Sequence, residues 1–135
     1  MILTDTGPLV ALIDRNDAHH IQCRNLLPYL SPPLVVTWPC FAEAMYLLGK
    51  AGAWTFHKHL WSYVARHAIR FHAIDGLEEN RMAALMEQYR DSPMDLADAS
   101  VVAAAETLRV RQVFTLDSHF RYYRINNSDV FELTP

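Results

Sequence analysis

The stretch ILTDTGPLVALID, residues 2–14, changes character at its fourth residue. Residues 2–4 suit a short strand, because aliphatic and β-branched side chains fit a pleated, half-buried surface. Asp5 ends that run, and GPLVALID is apolar enough for a helical turn or two. The fold then depends on whether strand and helix go on alternating.

They do. HHIQCRNLLPYL (19–30) carries Ile21, Leu26 and Leu30 as a buried stripe. PPLVVT (32–37) reads as a second strand, with Thr37 placed to cap the helix WPCFAEAMYLLGKAG (38–52), which stops near Gly49 and Gly52. A separate helix over about 54–67 sets Phe56, Leu60 and Val64 at fourfold spacing. IRFHAI (69–74) is a third strand, followed by the helices GLEENRMAALMEQYR (76–90) and LADASVVAAAETL (96–108). VRQVFTLD (110–117) is a fourth strand and DVFELT (129–134) a short fifth. Strands separated by helices predict an α/β fold, its mostly parallel sheet covered on both faces. At 135 residues a single domain, 1–135, is expected.

Composition narrows the class. With 51% hydrophobic and 20% charged residues, the chain is that of a compact soluble protein rather than a disordered one. No apolar run approaches the roughly 18 to 20 residues that span a bilayer. Asp5 also interrupts the first apolar segment too early for a signal peptide, so no membrane contact and a cytoplasmic location are expected. Cys23 and Cys40 lack CxxC spacing and read as reduced, buried thiols. A net charge of -3 gives no large basic footprint for duplex nucleic acid, although clustered acids can mask local Arg and Lys.

In open parallel sheets, ligands gather outside the carboxyl ends of the strands. Asp5 ends the first strand, Glu43 follows the second, Asp98 opens the helix before the fourth, and Asp117 follows the fourth. Helical spacing sets Glu43 beside Pro39, Cys40, Tyr46 and Leu47, an apolar address, and Asp98 beside Val101 and Val102. Partly buried like charges repel and lose hydration unless protons or a cation compensate them. Clustered carboxylate oxygens suit Mg²⁺ or Mn²⁺. Singly, Asp5 and Asp117 are equally well turn residues, and the first turn of a helix favours an acid such as Asp98. Their joint placement points to a site.

SPMDLADAS (92–100) sets Asp95 three residues before Asp98. If the helix begins at Leu96, Asp95 is its N-cap and Asp98 the third helical residue. Asp95 is then mainly structural; ligation of a metal, direct or through water, is the alternative. No His/Cys set among the 7 His and 2 Cys has zinc spacing, and the 4 Gly form no Walker A loop. Ser118 and His119 beside Asp117 do not make a triad, and His119 reads first as a loop residue, with a phosphate contact the alternative.

ILTDTGPLVALID, TWPCFAEAMYLL, DLADASVVAAAE and VFTLDSHF, in that order, resemble the PIN domain, close to the VapC-like toxin nucleases. The resemblance spans nearly the whole chain, although residues 50–90 match by layout rather than by motif. It implies a three-layer α/β/α sandwich with strand order 3-2-1-4-5, and Mg²⁺- or Mn²⁺-dependent cleavage of RNA. Carried over, Asp5, Glu43, Asp98 and Asp117 are the acids that hold the metal and carry catalysis. Thr6 and Thr115 stand where supporting hydroxyls lie. Asp95 is less general in the family, so the resemblance leaves its role open.

The function expected is a metal-dependent endoribonuclease, the toxin of a toxin–antitoxin pair, with an RNA substrate, a protein antitoxin and a homodimeric state implied by the family. Arg24, Arg121, Arg124 and His119 are candidate RNA contacts. Trp54 and Trp61 either fill the core or form an interface. A catalytically silent PIN-like interaction module is the alternative; the intact set of acids argues against it.

Overall fold

The computed structural model describes residues 1–135. In chain order the elements are β1 (Ile2–Thr4), α1 (Thr6–Ile13), α2 (His20–Leu26), a 3-10 turn (Leu27–Tyr29), β2 (Leu34–Val36), α3 (Trp38–Ala65), β3 (Ile69–Phe71), α4 (Gly76–Gln88), α5 (Leu96–Leu108), β4 (Gln112–Phe114), a second 3-10 turn (Ser118–Arg121), β5 (Arg124–Ile125), β6 (Asp129–Val130) and β7 (Glu132–Thr134). The sheet runs β3-β2-β1-β4-β7 with every neighbouring pair parallel. β7 is the fifth strand of that sheet, so the expected order holds. DVFELT is not one strand, however. Residues 129–130 pair antiparallel with β5, and the chain turns at Phe131, whose buried ring meets Phe120 edge-on at 5.4 Å.

Helices flank the sheet. β1 and β2 are buried along their whole length, as continuous apolar strands of a covered parallel sheet should be. α1 packs on α3, and α4 on α5. α5 is buried through Ala97, Ala99, Ala103, Ala104 and Ala105, small side chains that let its backbone approach both neighbouring helices and β1. The thiols of Cys23 and Cys40 are unpaired and buried. No helix is long and apolar enough to cross a membrane.

α3 is two helices back to back. Ala53 has φ 52° and ψ −142°, a reversal that brings Trp61 within 4.9 Å of the Phe41 ring and His57 Nε2 within 2.8 Å of the Met45 carbonyl. The expected break near Gly49 and Gly52 is therefore real, but the turn itself falls on Ala53. The two glycines do something else. A β-carbon on Gly49 would meet His57 Nε2 at 2.9 Å, and one on Gly52 would strike the Phe56 ring, so both let the second arm close on the first.

Two expectations fail on side-chain direction, for Ile21 and Thr37, and one open choice is narrowed, for Trp54 and Trp61. Ile21 is exposed at 73%, leaving Leu26 and Leu30 to face the core. Trp54 and Trp61 are both exposed rather than core-filling; Trp61 covers Phe41, and Phe41 joins Trp38 and Phe71 in one aromatic cluster. Thr37 does stand at the N-cap of α3, but its hydroxyl pairs with Ser100 Oγ at 2.6 Å and makes no cap bond.

Candidate functional site

The loops leaving β1 and β4 and the starts of α1, α3 and α5 meet at the carboxyl edge of the sheet. Asp5 is the N-cap of α1, with Oδ1 accepting from Thr6 N at 2.8 Å and Oδ2 from the Thr115 hydroxyl at 2.8 Å. Thr115 Oγ1 in turn accepts from Asp117 N at 3.0 Å, so one hydroxyl fixes two acids. Thr6 supports Asp5 through its backbone N–H. Its hydroxyl reaches Glu43 Oε2 at 3.0 Å and the Cys40 carbonyl at 3.3 Å.

Asp95 and Asp98 form a reciprocal capping box: Asp98 N donates to Asp95 Oδ1 at 2.8 Å, and Asp95 N to Asp98 Oδ2 at 3.3 Å. Asp98 Oδ2 also accepts from the Tyr123 hydroxyl at 3.2 Å. Tyr123 is fully buried, its ring set by Tyr89 and Phe120 edge-on and by His119 stacked beyond. No spacing rule points to Tyr123; its only trace in the sequence is the aromatic-rich HFRYYR. Asp117 caps the second 3-10 turn, accepting from His119 N at 2.9 Å with His119 Nδ1 also at 2.9 Å.

Carboxylate oxygens of Asp5, Asp98 and Asp117 all lie within 4.8 Å of one another. They share a cleft with Glu43, Asp95, Leu47 and Leu116. Burial is the main cause that pushes the Asp5 carboxyl above the usual range, outweighing the bonds from Thr6 and Thr115, and the Asp117 charge adds to it. Burial, then the charge of Asp95, pushes Asp98 up to about 7. The same burial, with the negative charge of Asp98, pushes the Tyr123 phenol up and keeps it a hydrogen-bond donor. A positive charge brought near these two acids would favour their ionised form.

Glu43 stands apart from the trio. Its expected apolar address holds on one side only: Cys40 is buried and Pro39 half-buried, but Glu43 is exposed and Tyr46 and Leu47 are 62% and 40% exposed, because this face of α3 turns to the cleft. Among the cationic candidates, Arg121 lines an adjoining cleft with Gln22 and Ser118 that shares Leu116 and Asp117 with the acid site. Arg124 Nη1 donates to the carbonyls of Arg121, Tyr122 and Tyr123 at 2.7, 3.1 and 3.1 Å, which ties the turn together. Arg24 lies outside the acid cleft, near Arg15, Arg66 and His59; burial of that imidazole and the three guanidinium groups hold its pKa down. A separate apolar groove, lined by Leu27, Pro28, Leu30 and Tyr63 among others, holds none of the acids.

The model of the PIN domain family matches residues 2–126. The chain belongs to the PIN domain family. Among solved structures, this PIN domain is similar to VapC20 of Mycobacterium tuberculosis, described as a sarcin-ricin-loop-cleaving toxin. The TM-score is 0.80 and the identity 15%, over 87% of this chain and 90% of the other. It is also similar to a chain of a toxin–antitoxin complex from Klebsiella pneumoniae, with TM-score 0.65 and 21% identity over 87% and 88% of the two chains. At these identities the likeness is one of fold, and the fold is the one the sequence motifs imply. No protein with a curated description matches the sequence.

Proposed function

We propose that this PIN domain is a divalent-metal-dependent endoribonuclease and the toxin of a toxin–antitoxin pair. The observation that carries the reading is the convergence of Asp5, Asp98 and Asp117 oxygens within 4.8 Å at the ligand-binding edge of the sheet. The donor set is all oxygen, which suits Mg²⁺ or Mn²⁺, and a cation there would offset the burial, and the lesser repulsion, that raise Asp5 and Asp98. Those three acids would hold the ion, with Glu43 and Asp95 at the rim. When bound, the ion supplies Lewis acidity toward phosphoryl oxygens at neutral pH.

The protein's own residues do the rest. Asp5 is locked by Thr6 and Thr115, and Asp98 by its capping box and Tyr123, so both present fixed oxygens at no cost in reorganisation during reaction. Water adds to phosphorus, one ester P–O bond breaks, and the leaving oxygen takes a proton. Glu43, exposed at the cleft and oriented by Thr6, is the free carboxylate best placed to accept the proton of the water. Arg121 in the adjoining cleft contacts phosphate; His119 acts by holding Asp117. Nothing in this chemistry needs a 2′-hydroxyl, so a preference for RNA would rest on the shape of the cleft or on contacts within it.

A protein antitoxin is the expected partner, in keeping with the Klebsiella complex that shares the fold. The exposed Trp54 and Trp61 favour the interface reading of these residues, and the family resemblance extends the proposal to a homodimer. The test incubates purified protein with end-labelled RNA and single-stranded DNA in Mg²⁺, Mn²⁺ or EDTA, alongside Asp5→Asn and Asp98→Asn. Cleavage of RNA that stops in EDTA and in both variants is expected. Cleavage undiminished in either condition would sink the metal-nuclease reading.

A further inference from the structure

Glu43, Tyr46, Leu47 and Lys50 recur at helical spacing, so their side chains leave the first arm of α3 within an arc of roughly 100°. All four are exposed. Glu43 and Leu47 line the acid cleft, which fixes the direction of the stripe. Tyr46 and Lys50 continue it outward, and Lys50 Nζ stands 4.6 Å from the centre of the Tyr46 ring. Lys50 has no carboxylate partner in the molecule.

Tyr46, 62% exposed, is open to solvent, yet the helix that carries it is braced. Behind it, His57 of the second arm grips the Met45 carbonyl at 2.8 Å and closes over Gly49. An exposed aromatic ring, held on a braced helix with a cation above one face, is the chemistry that receives an unpaired base on the ring and the neighbouring phosphate on the ammonium. A duplex offers no free base face to such a ring, since its bases are already stacked. Continuity with the acid cleft and the unpartnered charge of Lys50 both fit a polyanion lying across Asp5, Asp98 and Asp117.

We propose that Tyr46 and Lys50 form a stacking subsite for an unpaired nucleotide flanking the scissile phosphate. The subsite rests on the nuclease reading above and deepens it by assigning two residues of this chain to hold the substrate beside the acid cleft.

The test measures the affinity of the Asp98→Asn protein, in Mg²⁺, for a fluorescent single-stranded oligouridine and for an RNA duplex. The expected result is single-strand binding that Tyr46→Ala, added to that background, weakens about fivefold or more, that Tyr46→Trp retains, and that the duplex does not share. An oligouridine carrying 4-thiouridine should crosslink to the peptide bearing Tyr46. Melting temperature checks that each variant folds, and Tyr46 is exposed enough to be replaced without a cavity. Unchanged affinity in the Tyr46→Ala protein, with crosslinks elsewhere, overturns the subsite while a wild type that cuts RNA keeps the nuclease reading. Loss of self-association in Tyr46→Ala with RNA affinity intact also overturns it, and makes the stripe a protein interface. A wild type that neither binds nor cuts RNA removes both readings.

Discussion

Asp95 and Asp98 are one motif in sequence with two different settings in the structure. The capping box accounts for Asp95: its side chain answers an unpaired N–H of α5, and its own N–H is answered by Asp98. Asp98 owes its fixed direction to that cap and to Tyr123. Asp95→Ala is therefore expected to lose about 0.5 to 2 kcal/mol of stability, read by urea unfolding, while calorimetric Mn²⁺ affinity stays within a small factor. A large fall in Mn²⁺ affinity would make Asp95 a ligand instead. The cap was legible from S-P-M-D-L-A-D because capping is local in sequence. The Tyr123 contact was not, since it spans 25 residues and depends on how a turn folds back onto α5.

Among the elements, α3 carries the sharpest local cost. Ala53 sits at φ 52°, ψ −142°, a region where a β-carbon is disfavoured and glycine is at ease. Ala53→Gly should relieve that strain and raise stability by about 1 kcal/mol, seen as a higher thermal midpoint. A lower midpoint would mean that the flexibility glycine adds to the unfolded chain outweighs the relief. The break was visible in sequence as two glycines in an apolar helix. Its hairpin form was not, because Gly49 and Gly52 act through what they leave room for, His57 and Phe56, rather than through their own backbone angles. The fifth strand is similar: DVFELT was legible as strand, but Phe131 is claimed by the core and divides it into two short strands.

At the scale of the molecule, the acid cleft links stability to pH. The unfolded chain loses the Asp98 proton near 3.8, and the folded protein, free of metal, keeps it up to about 7. Between those values the native state binds more protons, so this group's contribution to stability is full below about pH 4 and is lost as pH rises through 7. Asp5, also raised, acts in the same sense. In EDTA, the difference in unfolding free energy between wild type and Asp98→Asn should fall from pH 5 to pH 8, and Mg²⁺ or Mn²⁺ should restore wild-type stability at the upper end. A difference that does not vary with pH would show that Asp98 titrates as an ordinary carboxylate. The sequence by itself determined the alternation of strand and helix, the parallel sheet, the placing of Asp5 and Asp117 after strands and that of Asp98 in the first turn of a helix, because each is written in local period and chain order. Only the tertiary structure decided that Glu43 faces the open cleft, that Ile21 and the tryptophans face outward, and that Tyr123 holds Asp98. The physical reason is rotation about a helix axis: at 3.6 residues per turn, a modest change in how a helix settles on the sheet exchanges buried for exposed, and nothing short of the packed neighbours sets that angle.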